Sequence, residues 1–168
     1  MFSRLLGAMN ALGTVWIFAL MVLVNSDIIG RELFGAPVRG TTELLALSIV
    51  GIVFLQLGHT LMIGRMTRSD MVIESLLQRK PRLGHLLQGI FHLLGAGFLA
   101  VVFYGSISPF LEAIEIGEYV GAAGDFTAPT WPIKLLILVG SAATGLQYLV
   151  LTWMDIRAIL NPAAESQP

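Results

Sequence analysis

Cysteine is absent from the 168 residues of the chain. Disulfides, thiolate metal centres and cysteine nucleophiles are excluded with it. Charge is scarce as well: Asp, Glu, Lys and Arg make up 12% of the residues, about half of the ~25% usual in soluble domains. Ten cations stand against eleven carboxylates, so no basic surface is left over for nucleic acid. The chain also contains no H-E-x-x-H, no G-x-S-x-G and no G-x-x-x-x-G-K-[ST]. Zincin, serine-hydrolase and nucleotide-driven chemistry therefore lack their characteristic side chains. Apolar residues fill the space instead, at 55% with 18 glycines besides, and that composition belongs in a membrane.

The sparse charges are spaced to match. Runs of 22, 21, 29 and 20 residues without a charged side chain separate Arg4 from Asp27, Glu43 from Arg65, Arg82 from Glu112 and Lys134 from Asp155. A helix rises ~1.5 Å per residue, so about 20 apolar residues cross a ~30 Å hydrocarbon core. The third run is longer than needed and predicts a helix that tilts or projects beyond the lipid. No run shows the ten-residue alternation of a barrel strand. The expected fold is all-α: one four-helix transmembrane domain over residues 1–160, with approximate spans 5–27, 43–64, 84–111 and 131–155.

Four spans put both termini on one side of the membrane. That side holds Arg4, Arg65, Arg68, Arg79, Lys80, Arg82 and Arg157; the other holds Arg31, Arg39 and Lys134. The excess of cations places both termini and the middle loop in the cytoplasm. The first span shares a basic start and small residues with a secretory signal, but its apolar run is longer than the usual ~7–15 residues, which favours a retained helix. Between spans two and three, Ser69 to Lys80 reads as a short amphipathic helix in the cytoplasmic interface. Ser69 or Asp70 would cap it and Pro81 would stop it. Residues 161–168 form an expected disordered cytoplasmic tail behind Pro162.

Polar side chains near the spans are few. Asp27 and Arg31 are spaced i, i+4, at which opposite charges pair. Glu43 opens the second span, where a carboxylate suits the positive end of the helix dipole; it also lies within reach of Arg31 or Arg39 across a short loop. His59 and His92 both belong to the cytoplasmic half, with His85 on the face of His92, so a haem held by His59 and His92 is one reading. Interhelical hydrogen bonding by the same residues is the other. Ser106 and Ser108 lie toward the outer side and His59 toward the inner, a depth mismatch for an intramembrane serine protease. Gly140, Ser141, Thr144 and Gly145 form overlapping small-xxx-small pairs, as do Gly7 with Ala11 and Ala96 with Ala100, and such pairs let helices approach closely. Gln56, Gln88 and Gln147 add hydrogen-bonding groups inside the spans. Trp131 and Trp153 flank the fourth span as interfacial anchors, and Trp16 is placed to pack mid-span.

The run RELFGAPVRGTTE from Arg31 to Glu43 resembles the small-permease, DctQ-like subunit of tripartite ATP-independent periplasmic (TRAP) transporters. Arg31 closes the first helix, Phe34 and Pro37 occupy the short outer loop, and Glu43 opens the second helix. Asp70 matches the acid that begins the family's cytoplasmic interfacial segment. Thr127 to Pro132 (TAPTWP), with Trp131 in it, looks like the introduction to the family's fourth helix, with Gly140 and Gln147 following. The chain departs from the pattern at Gly51, where the family often has Trp, and at Met66, where a His is often found.

This resemblance implies a non-catalytic subunit, without cofactor or metal, in the bacterial inner membrane. It would serve as scaffold for a large membrane permease subunit and as part of the docking surface for a periplasmic substrate-binding protein. The complex would take up organic acids in symport with sodium. Asp27, Arg31, Phe34, Pro37, Glu43, Asp70, Glu115, Glu118, Trp131, Gly140 and Gln147 are the candidate structural or partner-contact residues, Glu115 and Glu118 because they lie in an acidic outer connection. The alternative from a different class is a self-sufficient membrane protein, either a haem-binding redox protein or a small oligomeric exporter.

Overall fold

The computed structural model describes residues 2–64, 81–122 and 124–160. Four helices account for most of them: α1 (Phe2–Phe34), α2 (Thr41–Met62), α3 (Pro81–Glu115) and α4 (Trp131–Leu160). All four are long and apolar enough to cross a membrane. The protein is an all-α, multi-pass membrane protein. The expected interfacial helix with Asp70, and the tail at 161–168, lie outside the described residues.

Successive helices run antiparallel. One end of the bundle, the corner end, carries the α1–α2 connection and the α3–α4 connection. The opposite end carries the start of α1 and the finish of α4. Helices overrun the charge-free runs: α1 continues past Asp27 to Phe34, and α4 past Asp155 to Leu160. A charge ends the lipid-compatible stretch, whereas a helix ends where its backbone bonds stop. At 35 residues and ~1.5 Å per residue, α3 is about 52 Å long, well beyond the hydrocarbon core. Pro109 lies inside it near the corner end.

The principal contacts run α1 to α2, α2 to α4 and α4 to α3, so α2 and α4 are central and α1 and α3 flank them. A shared core of Leu6, Met9, Leu55 and Ala143, backed by Phe2, Trp16, Met62 and Leu136, draws α1, α2 and α4 together. Small residues set the closest approach. Gly140 of α4 lies against the Phe54 carbonyl of α2, and a Cβ at Gly58 of α2 would sit 2.8 Å from Leu6 and 3.2 Å from the Thr144 hydroxyl. Ser141 and Thr144 are fully buried at this seam. Their hydroxyls donate back to the carbonyls of Ile137 (2.6 Å) and Gly140 (2.7 Å), which satisfies both donors within α4. Trp16 crosses from α1 to α2, where its indole N–H donates to Ser48 Oγ at 3.1 Å. Its ring edge comes within 3.9 Å of where a Gly51 Cβ would be.

Between α3 and α4 the chain forms a small antiparallel hairpin, β1 (Tyr119–Ala122) and β2 (Phe126–Pro129). The sequence reading expected only an acidic connection there.

Candidate functional site

Two polar constellations stand out from the apolar bundle, one at each end. At the corner, Asp27 is 7% exposed. A carboxylate this enclosed has to be satisfied by donors, and two are supplied. Arg31 Nη2 donates to Oδ2 at 2.8 Å from one turn further along α1, and the Val38 N–H donates to Oδ1 at 2.8 Å. The second bond ties the loop back onto the helix. The loop is shaped by glycine: Gly35 and Gly40 have φ of 62° and 76°, values that L side chains rarely adopt. Thr41 Oγ1 donates to the Val38 carbonyl at 2.9 Å as α2 begins.

The hairpin is fastened to this corner and to α4. The Phe126 ring lies directly over Gly40, in space that any Cβ there would occupy. Arg39 pairs with Asp125 at 3.2 Å. On the other side Lys134 at the start of α4 pairs with Glu118, and its ammonium also donates to the Pro109 carbonyl at 3.2 Å. That hydrogen bond from Lys134 holds the Glu118 carboxyl below the usual carboxylate range, against the opposing effect of desolvation. The corner and hairpin together make a cross-braced platform.

The second constellation lies near the other end, between α3 and α4. Asp155 is 7% exposed and His92 3%. Nδ1 of His92 is 2.6 Å from Asp155 Oδ2, and Nδ1 of His85 is 3.5 Å from Oδ1. An ionised carboxylate only accepts, so an imidazole facing it presents Nδ1–H; the His85 contact is long and correspondingly weak. The Tyr148 ring packs at 6.0 Å and 51° to the His92 ring. Tyr148 also fills the place that a Cβ on Gly95 would need, at 2.7 Å. One carboxylate thus joins two turns of α3 to the last part of α4. Ionisable groups this enclosed are costly unless paired, and here they pair with one another. Among the described residues no group of His, Asp and Glu is arranged to hold a metal ion.

Several expectations change against this geometry. Arg31 does not pair with Glu43, and neither does Arg39: the first is taken by Asp27, one turn away on its own helix, and the second by Asp125. Glu43 sits half-buried in the first turn of α2. His59 and His92 are not brought together as haem ligands. His59 is on α2, whereas His92 faces Asp155 on α4, with α3 packed principally on α4. Glu118 is bound internally to Lys134, while Glu115 is exposed at the end of α3. Phe34 and Pro37 are exposed at the corner, and Trp131 is exposed at the start of α4. Gly140 and Gln147 are buried, Gly140 against α2.

The sequence reading missed Asp155 as a site residue because it closes the fourth charge-free run and looked like a boundary. The signal that points to it is the spacing of His85 and His92, seven residues apart on one face of α3, which calls for a polar partner on the facing helix.

A family model described as "Tripartite ATP-independent periplasmic transporters, DctQ component" matches residues 20–158. No curated protein and no solved structure gave a match to the chain. The matched stretch runs from the middle of α1 almost to the end of α4 and includes both constellations. The chain belongs to the DctQ component family of TRAP transporters.

Proposed function

We propose that this small TRAP component acts as a scaffold for a large membrane permease subunit and presents its corner end to a periplasmic substrate-binding protein. The family match over residues 20–158 is the observation that carries the reading. The complex takes up organic acids with sodium in the bacterial inner membrane, and both termini of this chain lie in the cytoplasm. A solute carrier needs a site that opens alternately to both sides, typically built from broken helices near the membrane midplane. Here the two buried carboxylates among the described residues are both engaged within the chain: Asp155 with His92 and His85, and Asp27 with Arg31 and the Val38 N–H. That engagement supports a structural rather than a substrate-binding role.

Within this reading Asp27, Arg31, Phe34, Pro37 and Glu43 shape the corner platform. Trp131 anchors α4 at the interface, Gly140 lies at the α2–α4 seam, and Gln147 is a buried polar group of α4. Asp70 takes the interfacial position that the resemblance gives it, and Glu115 with Glu118 lies at the docking end. The test is reconstitution into liposomes with an inward sodium gradient and labelled carboxylates. Uptake is expected only when the large permease and the binding protein are both present. Saturable sodium-driven uptake by this chain alone would reject the scaffold role.

A further inference from the structure

We propose that the outward edge of β1 is a docking strand, onto which the soluble binding protein adds an extended, cation-bearing segment as a third strand. The inference rests on the docking reading given above and deepens it. In an antiparallel pair only alternate residues exchange hydrogen bonds with the strand opposite. The Thr130 N–H donates to the Glu118 carbonyl at 3.0 Å. The register continues Tyr119 to Pro129, Val120 to Ala128, Gly121 to Thr127 and Ala122 to Phe126. Glu118, Val120 and Ala122 therefore turn their backbone groups toward β2. Tyr119 and Gly121 turn theirs away.

The two edges of the hairpin differ. On β2, Ala128 is buried and Pro129 has no N–H to offer on the outward side. On β1 all four residues are exposed, and the strand reads Tyr-Val-Gly-Ala. It is short, at four residues, but carries no proline, lysine or other charge, which are among the devices that blunt a strand edge. An open edge of this kind is the substrate for strand addition: main-chain bonds supply affinity, and alternate side chains supply selectivity. Tyr119 is 53% exposed, and it stands on the opposite face from Val120, giving an incoming segment apolar contact on either side.

Charge selects the occupant. Asp125 and Glu118 are paired, with Arg39 and Lys134. Glu112 and Glu115 are exposed, and neither forms an ion pair among the described residues. They sit at the C-terminal end of α3, which has no basic residue in its last turn. A carboxylate is disfavoured there because the helix dipole is negative at that end. Two copies of this chain joined edge to edge would bring these charges together. A segment bearing Lys or Arg relieves them, so the hetero-partner is the occupant that fits.

The experiment uses this chain assembled with its large permease in nanodiscs, titrated with the binding protein. Hydrogen exchange of the amides in 119–122 is expected to slow when the binding protein is added. Tyr119→Pro removes an outward N–H at the first residue of the strand, a place where proline is tolerated. It is expected to weaken binding about tenfold, against less than about threefold for Tyr119→Ala. Glu112→Lys with Glu115→Lys is expected to weaken binding too, with the loss shrinking as salt rises. Unchanged amide exchange on binding, or equal effects of Tyr119→Pro and Tyr119→Ala, overturns strand addition. If the charge reversals still weaken binding in that case, docking at this face stands and only the strand edge is lost. If neither the edge variants nor the charge reversals change binding, the docking reading fails with it.

Discussion

Single residues in this protein differ most in what they leave behind when removed. Arg31 and Asp155 each belong to an ion or hydrogen-bonded pair, yet their surroundings are opposite. The Arg31 side chain is 63% exposed, so its removal buries no orphaned cation, and the enclosed Asp27 carboxylate keeps the Val38 N–H at 2.8 Å. Asp155 and His92 are enclosed between α3 and α4. Asp155→Leu removes the carboxylate 2.6 Å from His92 Nδ1, and a buried group that loses a hydrogen-bond partner costs roughly 1–3 kcal/mol, more where charge is involved. We predict that Asp155→Leu and His92→Leu each lower the unfolding midpoint in detergent. The double variant should lose less than the sum, with a coupling of the order of 0.5–3 kcal/mol. Asp155→Asn, which keeps an acceptor oxygen, should be milder than Asp155→Leu. Strictly additive losses would show that the 2.6 Å contact contributes nothing to stability.

At the scale of elements, the charge-free runs were enough to count the helices, because lipid thickness dictates the minimum apolar length. They could not locate the helix ends. Asp27 interrupts the run but not α1, since the Val38 N–H and Arg31 satisfy its carboxylate inside the helical frame. The hairpin was illegible for a different reason: each strand is four residues long, too short for alternation to register. Small-residue pairs were visible in α4 but not ranked, and the packing ranks them. A Cβ on Gly145 would meet Leu99 Cβ at 3.7 Å, an ordinary contact, whereas one on Gly140 would run into the Phe54 carbonyl of α2. A backbone atom cannot rotate aside as a side chain can. Gly140→Ala is therefore expected to force α2 and α4 apart at a cost of about 1–3 kcal/mol, and Gly145→Ala to be close to neutral. Thermal unfolding of the two variants decides the matter, and equal midpoints would mean that α2 and α4 are not held at this distance.

The whole molecule has a direction, and its charges argue for which way it faces. Arg31, Arg39 and Lys134 at the corner end are each paired with a carboxylate of the same end, Asp27, Asp125 and Glu118. At the other end Arg4 is exposed, and the Arg157 guanidinium stacks 5.0 Å from the exposed Trp153 ring, an arrangement suited to a headgroup boundary. Cations retained on the cytoplasmic side set orientation, and that side also receives the basic residues between spans two and three. On the proposed orientation the corner platform, with its hairpin, faces the periplasm, where a soluble partner can reach it. Because the chain has no cysteine, single introduced thiols report without background. The choice of position matters. Gly121 has φ of 113°, and a Cβ there would collide with the Phe126 carbonyl, so a cysteine would distort the hairpin it is meant to report on. Ala122, exposed and next to it, avoids both faults. Ser3, exposed in the first turn of α1, reports on the opposite end. In intact spheroplasts an impermeant maleimide is expected to label Ala122→Cys and to leave Ser3→Cys untouched until the membrane is permeabilised. The reverse pattern would invert the molecule, placing the hairpin with Glu112 and Glu115 in the cytoplasm, and would remove the physical basis for docking a periplasmic protein at that end.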